Sequence, residues 1–66
     1  MLTFSQFSDL CLAYGFKTPV ISENDYNNLD YHSEPYLTAC VEKASLGYSF
    51  EYFSSILLRR YKRAKQ

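Results

Sequence analysis

A single imidazole, His32, two thiols, Cys11 and Cys40, and seven carboxylates are the groups in this 66-residue chain that could carry acid–base, nucleophilic or metal chemistry. Catalysis needs several such groups to converge, and their spacing argues against it. His32 falls in a predicted turn, and neither cysteine stands at a metal-ligand spacing from it or from the other. Gly15 and Gly47 are isolated, each after a predicted helix, so there is no glycine-rich loop to cradle a phosphate. Glu23, Asp25, Asp30 and Glu34 cluster around one short predicted helix, without the Asx-rich loop and central glycine that calcium requires. They read as capping and solvent-facing residues, or as an acidic contact surface for a basic partner. No catalytic residue, metal ligand, cofactor or small-molecule substrate is expected, and the chain reads as a non-enzyme.

The groups that do converge in sequence are cations. Arg59, Arg60, Lys62, Arg63 and Lys65 place five of the seven basic residues in the last eight positions, although the formal net charge is zero. Residues 1–58 hold the other two against all seven carboxylates, so a body of net −5 is joined to a tail of +5. Such segregation signals a partner. A cluster of this kind attracts phosphates by releasing condensed counterions, with an expected log-log salt slope of about −4.5 on duplex or about −3.5 on single strands for five neutralised phosphates. The alternative is a helix C-terminus whose cations complement the backbone dipole. Tyr61 inside the cluster, and Tyr52 more than two turns earlier, could stack on unpaired bases; Tyr61 could equally be the last rung of an apolar stripe.

Composition narrows the class further. Aromatic residues make up 18% of the chain, with seven Tyr, five Phe and no Trp. A domain of this size buries only roughly 60% of its unfolded surface, so some tyrosines must remain outside, where the residue type favours interfaces. Tyr26, Tyr31, Tyr36 and Tyr48 are the predicted partner-docking set. Two cysteines are too few for a disulfide framework and read as buried hydrophobes in a reducing compartment. No cationic leader precedes the N-terminal apolar residues, and no stretch approaches the roughly 20 apolar residues of a membrane span. A cytoplasmic protein is expected.

Four helices must position these groups. Thr3 with Gln6 has capping-box spacing, Leu2 with Phe7 staples it, and Phe4, Phe7, Cys11 and Tyr14 share a face, predicting a helix over 4–14 that Gly15 ends. Pro19 breaks the backbone after it. Ser22 with Asp25, stapled by Ile21 and Tyr26, opens a short helix over 23–30. Ser33 is placed to cap the next, over 34–46, with Pro35 in its first turn, Leu37, Cys40, Val41 and Ala44 on one stripe, and Gly47 at its end. Ser49 opens the last, over 50–62, with Phe50, Phe53, Leu57 and Tyr61 on its stripe and Ile56 widening it. Nothing alternates with period two, so the fold class is all-α, a small orthogonal bundle of four helices in one domain. A helix-turn-helix around Gly47 fails: Lys43 stands where a small residue is needed, and Glu51, Tyr52 and Ser55 offer little to read base edges.

This order of features resembles the C-terminal domain of DnaD-type replication proteins. The residues that carry the resemblance are Tyr14-Gly15-Phe16, Thr18-Pro19, the acidic segment Glu23 to Leu29, the run Thr38-Ala39-Cys40-Val41-Glu42-Lys43-Ala44, and Tyr52, Phe53, Ile56 and Leu57 in the last helix. Arg60 occupies the position of the family's tryptophan, and Tyr61 follows one residue late. The resemblance covers roughly residues 4–61 and implies a DNA-replication accessory module. Its final helix and basic tail, here Tyr52, Ile56, Arg59, Arg60, Tyr61, Lys62, Arg63 and Lys65, would bind single-stranded or non-sequence-specific DNA, while the domain docks on a helicase, primase or polymerase. Family members usually carry an N-terminal oligomerisation and winged-helix domain, so a free-standing copy implies a small phage or mobile-element subunit. The competing expectation is an adaptor or inhibitor that contacts only protein. A membrane-bound amphipathic final helix is the weakest reading, because that apolar face is needed for the core.

Overall fold

The computed structural model describes residues 1–64, with side chains as far as Lys62. The described residues form four helices and no strand: α1 (Phe4–Ala13), α2 (Glu23–Asn27), α3 (Glu34–Ser45) and α4 (Phe50–Ala64). The all-α bundle expected from the sequence is the one observed. α2 stops short of Asp30, because Asn27 and Asn28 are weak helix formers with little tertiary packing to hold them, and α4 continues two residues beyond the predicted end.

The helix starts follow the hydroxyl residues. At α1 the Gln6 backbone N–H donates to Thr3 Oγ1 (3.2 Å) while the Gln6 side-chain oxygen accepts from the Thr3 N–H (2.9 Å), a complete capping box. Ser22 Oγ accepts from the Asp25 N–H (3.1 Å) and Ser49 Oγ from the Tyr52 N–H (3.3 Å). Ser33 departs from the expectation. Its backbone has N-cap geometry, but its side chain makes no capping bond, and its Oγ is buried with no partner among the described residues. Replacing Thr3 by alanine is therefore expected to cost about 1 kcal/mol, the usual loss of a satisfied cap. Ser33→Ala is expected to be neutral or stabilising, since it removes an unsatisfied buried hydroxyl. Urea denaturation of the two variants checks the contrast.

The helix ends follow the glycines. Gly15 (φ +96°) and Gly47 (φ +98°) adopt the left-handed conformation that a side chain resists. Each closes a Schellman motif: the Phe16 N–H donates to the Cys11 carbonyl and the Gly15 N–H to Leu12, while Tyr48 donates to Lys43 and Gly47 to Ala44, all at 3.0–3.1 Å. Four carbonyls that the helices would leave orphaned are satisfied in this way, and the chain turns without added residues.

The core is the apolar stripe of each helix. Phe7 and Cys11 of α1, Tyr26 of α2, Tyr36, Leu37, Cys40 and Val41 of α3, and Phe50 and Leu57 of α4 are buried together. Phe7 stands at the junction, its ring 4.8 Å from that of Tyr26 and 6.0 Å from that of Phe50. α3 and α4 share the most extensive helix–helix interface. The N-terminus is strapped across α2: the Leu2 N–H donates to the His32 carbonyl (2.9 Å), the Tyr26 hydroxyl donates to the Leu2 carbonyl, and His32 Nε2 donates to the Tyr26 carbonyl (2.8 Å). His32 thus caps the end of α2, with its ring 4.8 Å from that of Tyr26.

Candidate nucleic-acid interface

α4 separates a buried stripe from a solvent-facing one. With 3.6 residues per turn, Tyr52, Ile56 and Arg59 fall on one line along the helix, and Arg60 and Lys62 flank it on either side. All five are exposed, Tyr52 at 61% and Ile56 at 41%. Ile56, expected to widen the core stripe, instead faces outward. Its place on the helix is roughly 60–100° around from the packing edge that Phe53 and Leu57 fill. Ser55, Ile56 and Arg59 line a shallow depression on this face.

The Ser54 and Ser55 hydroxyls fold back onto the helix, donating to the Glu51 and Tyr52 carbonyls (2.9 Å each). Among the described residues, neither Arg59, Arg60 nor Lys62 is engaged by a carboxylate. The side chain of Arg63 and the whole of Lys65, both expected to extend the cationic cluster, lie outside the described residues.

Near the start of α4 the same face meets the α3–α4 turn. Leu46 (66% exposed) and Tyr48 (54%) stand there in the open. The Tyr48 ring meets Phe53 edge-on at 5.0 Å, Phe53 meets Tyr52 edge-on at 5.3 Å, and Lys43 Nζ lies 5.9 Å from the Tyr48 ring centroid and 5.6 Å from that of Phe53. The result is a ridge of alternating aromatic and aliphatic surface, cationic at both ends. Neither Leu46 nor Lys43 was assigned to a binding surface by sequence reasoning. A leucine just before a helix-ending glycine, on no stripe, was the available signal for the first.

Two residues of the expected docking set are not surface residues. Tyr26 is 3% exposed and Tyr36 is 2% exposed, and each turns its hydroxyl onto a backbone carbonyl, Tyr26 onto Leu2 and Tyr36 onto Ser54 (2.8 Å). Their rings complete a core that has few large aliphatic residues, and the polar tip of each is satisfied by the backbone it packs against. Tyr31 is half-buried, 5.4 Å from the Tyr36 ring. Tyr61 is half-buried as well, its ring edge-on to Tyr36 at 6.1 Å, and it packs on the core. The structure places Tyr61 on the apolar stripe of α4 and Tyr48 and Tyr52 in solvent.

Thiols and phenols inside the bundle are held protonated. Burial pushes the Cys40 thiol up to about 11 from its ordinary 9.0, with a hydrogen bond to Tyr36 acting weakly the other way. Burial raises the Tyr36 phenol well above its ordinary value, helped by the neighbouring Cys40. Cys11 and Tyr26 are likewise raised by burial. Both cysteines are free and buried, so neither offers a thiolate to solvent. Among the described residues no group of three or more His, Cys, Asp or Glu side chains could hold a metal ion, and no helix is long and apolar enough to cross a membrane.

No family model, no curated protein and no solved structure matches this chain.

Proposed function

We propose that this chain is a non-catalytic DNA-replication accessory module, phage or mobile-element encoded and acting in the cytoplasm, that grips nucleic-acid backbone with α4. Arg59, Arg60 and Lys62 contact phosphates, Tyr52 offers a stacking face, and Arg63 and Lys65 extend the cationic track. The ridge of Leu46, Tyr48 and Tyr52 docks on a larger replication protein such as a helicase, primase or polymerase. The observation that carries the reading is the set of exposed, carboxylate-free cations in which Arg59 continues the line of Tyr52 and Ile56 and Arg60 and Lys62 flank it. The sequence resemblance to DnaD-type C-terminal domains supports it from a separate direction, because the residues that match in the last helix include Tyr52 and Ile56.

The test is binding of a labelled oligonucleotide across a salt series. Affinity is expected to fall with a log-log slope near −4.5 on duplex or near −3.5 on single strands if all five cations engage. No binding at low salt, or binding indifferent to salt, overturns the reading.

A second reading, a protein-interaction module that never touches nucleic acid, is favoured by Leu46 and Tyr48, which are more than half exposed next to a body of net −5. It requires a complex with a host protein that survives nuclease treatment while oligonucleotide binding is absent.

A further inference from the structure

A second feature of α4 lies at its other end. Ile21, Asp25, Asn28 and Leu29 of the α2 region and Phe50, Glu51 and Ser54 of α4 enclose a groove of about 220 Å³. That is below the roughly 300–1,000 Å³ of a small-molecule site and suits a single side chain. Its lining combines the apolar Ile21, Leu29 and Phe50 with the acidic Asp25 and Glu51. Both acidic residues are exposed, and neither carboxylate meets a cation among the described residues. An apolar trough between two carboxylates is complementary to a guanidinium or ammonium on an aliphatic stem, the stem against the apolar walls and the charge between the acids.

The chain carries such side chains in quantity, but it cannot deliver them to its own groove. α4 is continuous from Phe50 to Ala64, and a rise of 1.5 Å per residue sets Arg59 to Lys62 roughly 12–16 Å along the axis from Glu51. One rigid helix therefore holds the acidic groove at one end and the cationic cluster at the other.

We infer that the groove between α2 and the start of α4 receives the cationic end of α4 from a second copy of this chain. The contact is head-to-tail: plug and socket are different surfaces, so each added copy leaves one of each free until a ring closes. The opposed charges of body and tail draw the two ends together, and salt weakens the attraction. The inference shares Arg59 and Arg60 with the nucleic-acid reading but rests on the acidic groove, which that reading does not use. Where both hold, a nucleic acid competes with the neighbouring copy for the same cations.

Sedimentation of the intact chain at low ionic strength is expected to show an average mass that climbs with concentration from the 7.7 kDa monomer and returns to it in high salt. Asp25→Asn with Glu51→Gln is expected to weaken self-association by roughly tenfold or more, while oligonucleotide affinity, measured separately, does not fall. A copy carrying Asp25→Arg and Glu51→Arg and a copy carrying Arg59→Glu and Arg60→Glu should each lose self-association, and mixing them should restore it. Circular dichroism confirms that each variant is helical, and the mixing result holds independently of small differences in stability. A monomer at every concentration in low salt, association untouched by the groove substitutions, or failure of the mixed pair overturns the inference. Self-association without oligonucleotide binding would sustain it while overturning the nucleic-acid reading.

Discussion

Raising the pH from about 8 to about 11 is expected to unfold the domain, and the cause is its own core. Below pH 9 the buried thiols and phenols are protonated in both the folded and the unfolded chain, and their contribution to stability is fully present. Above it the unfolded chain ionises Cys11 and Cys40 at their ordinary 9.0, then Tyr26 and Tyr36 at 10.0, while the folded chain releases each of these protons only at higher pH because burial has raised each group. The unfolded state then binds fewer protons than the native state, and stability falls as pH rises. Cys40, raised to about 11, accounts for about 2 kcal/mol lost between pH 9 and 11. Tyr36 removes up to about 1.4 kcal/mol for each further pH unit above 10.

At roughly 0.05–0.15 kcal/mol per residue, a chain of this length has a total stability of about 3–10 kcal/mol, so these two groups alone reach the lower part of that range by pH 11. The measurement is helical circular dichroism against pH, with tyrosinate absorbance read in parallel; the buried phenols should ionise together with the loss of helix. Tyr36→Phe keeps the ring and loses one hydrogen bond, worth about 1 kcal/mol at neutral pH, yet its stability should decline less steeply above pH 10. A domain that keeps its helices to pH 12, or a Tyr36→Phe variant with an unchanged alkaline slope, would contradict the role given to burial.

Local chemistry made the helices legible, and three-dimensional crowding decided the rest. Thr3, Ser22 and Ser49 accept the capping bonds their positions imply, and Gly15 and Gly47 take the positive φ that a helix-ending glycine supplies. These are short-range effects, set by residues within a turn of one another. The stripe on α3 was readable for the same reason, since Leu37, Cys40 and Val41 are all buried.

The tyrosines were less readable. The staple with Ile21 marked Tyr26 as a packing residue, but nothing near Tyr36 in sequence distinguishes it from Tyr48 and Tyr52; what lets both hydroxyls sit inside is a backbone carbonyl from a distant segment, Leu2 for Tyr26 and Ser54 for Tyr36. Ile56 and Leu57 are adjacent, and only the angle at which α3 lies on α4 turns Leu57 inward and Ile56 out. The acidic groove was half visible, as a cluster of carboxylates around α2. Its apolar floor depends on Phe50 arriving from another helix, and no pattern in either segment alone announces that.

Neutralising the exposed cations of α4 is the perturbation with the largest expected effect on function, and the packing of the helix dictates how it should be done. Deleting residues 59–66 would remove Tyr61, whose ring packs on Tyr36 and the core, so a loss of binding would be confounded by a loss of fold. Arg59→Gln, Arg60→Gln and Lys62→Gln change only exposed positions and keep a good helix former at each. At about 1 kcal/mol for each surface charge contact, the triple variant should bind an oligonucleotide roughly a hundredfold more weakly at low salt. Its log-log salt slope should flatten by about 2.7 on duplex or about 2.1 on single strands, because three fewer counterions are released. Lys17→Gln, an exposed cation in the α1–α2 connection, is the control and should leave the slope unchanged. Tyr52→Ala separates the two kinds of nucleic acid. A base stacked on that ring is worth about 1–3 kcal/mol, so single-strand affinity should drop while duplex affinity, made by phosphate contacts alone, should not. If the triple variant retains the wild-type slope, the phosphates meet some other surface and α4 is not the interface.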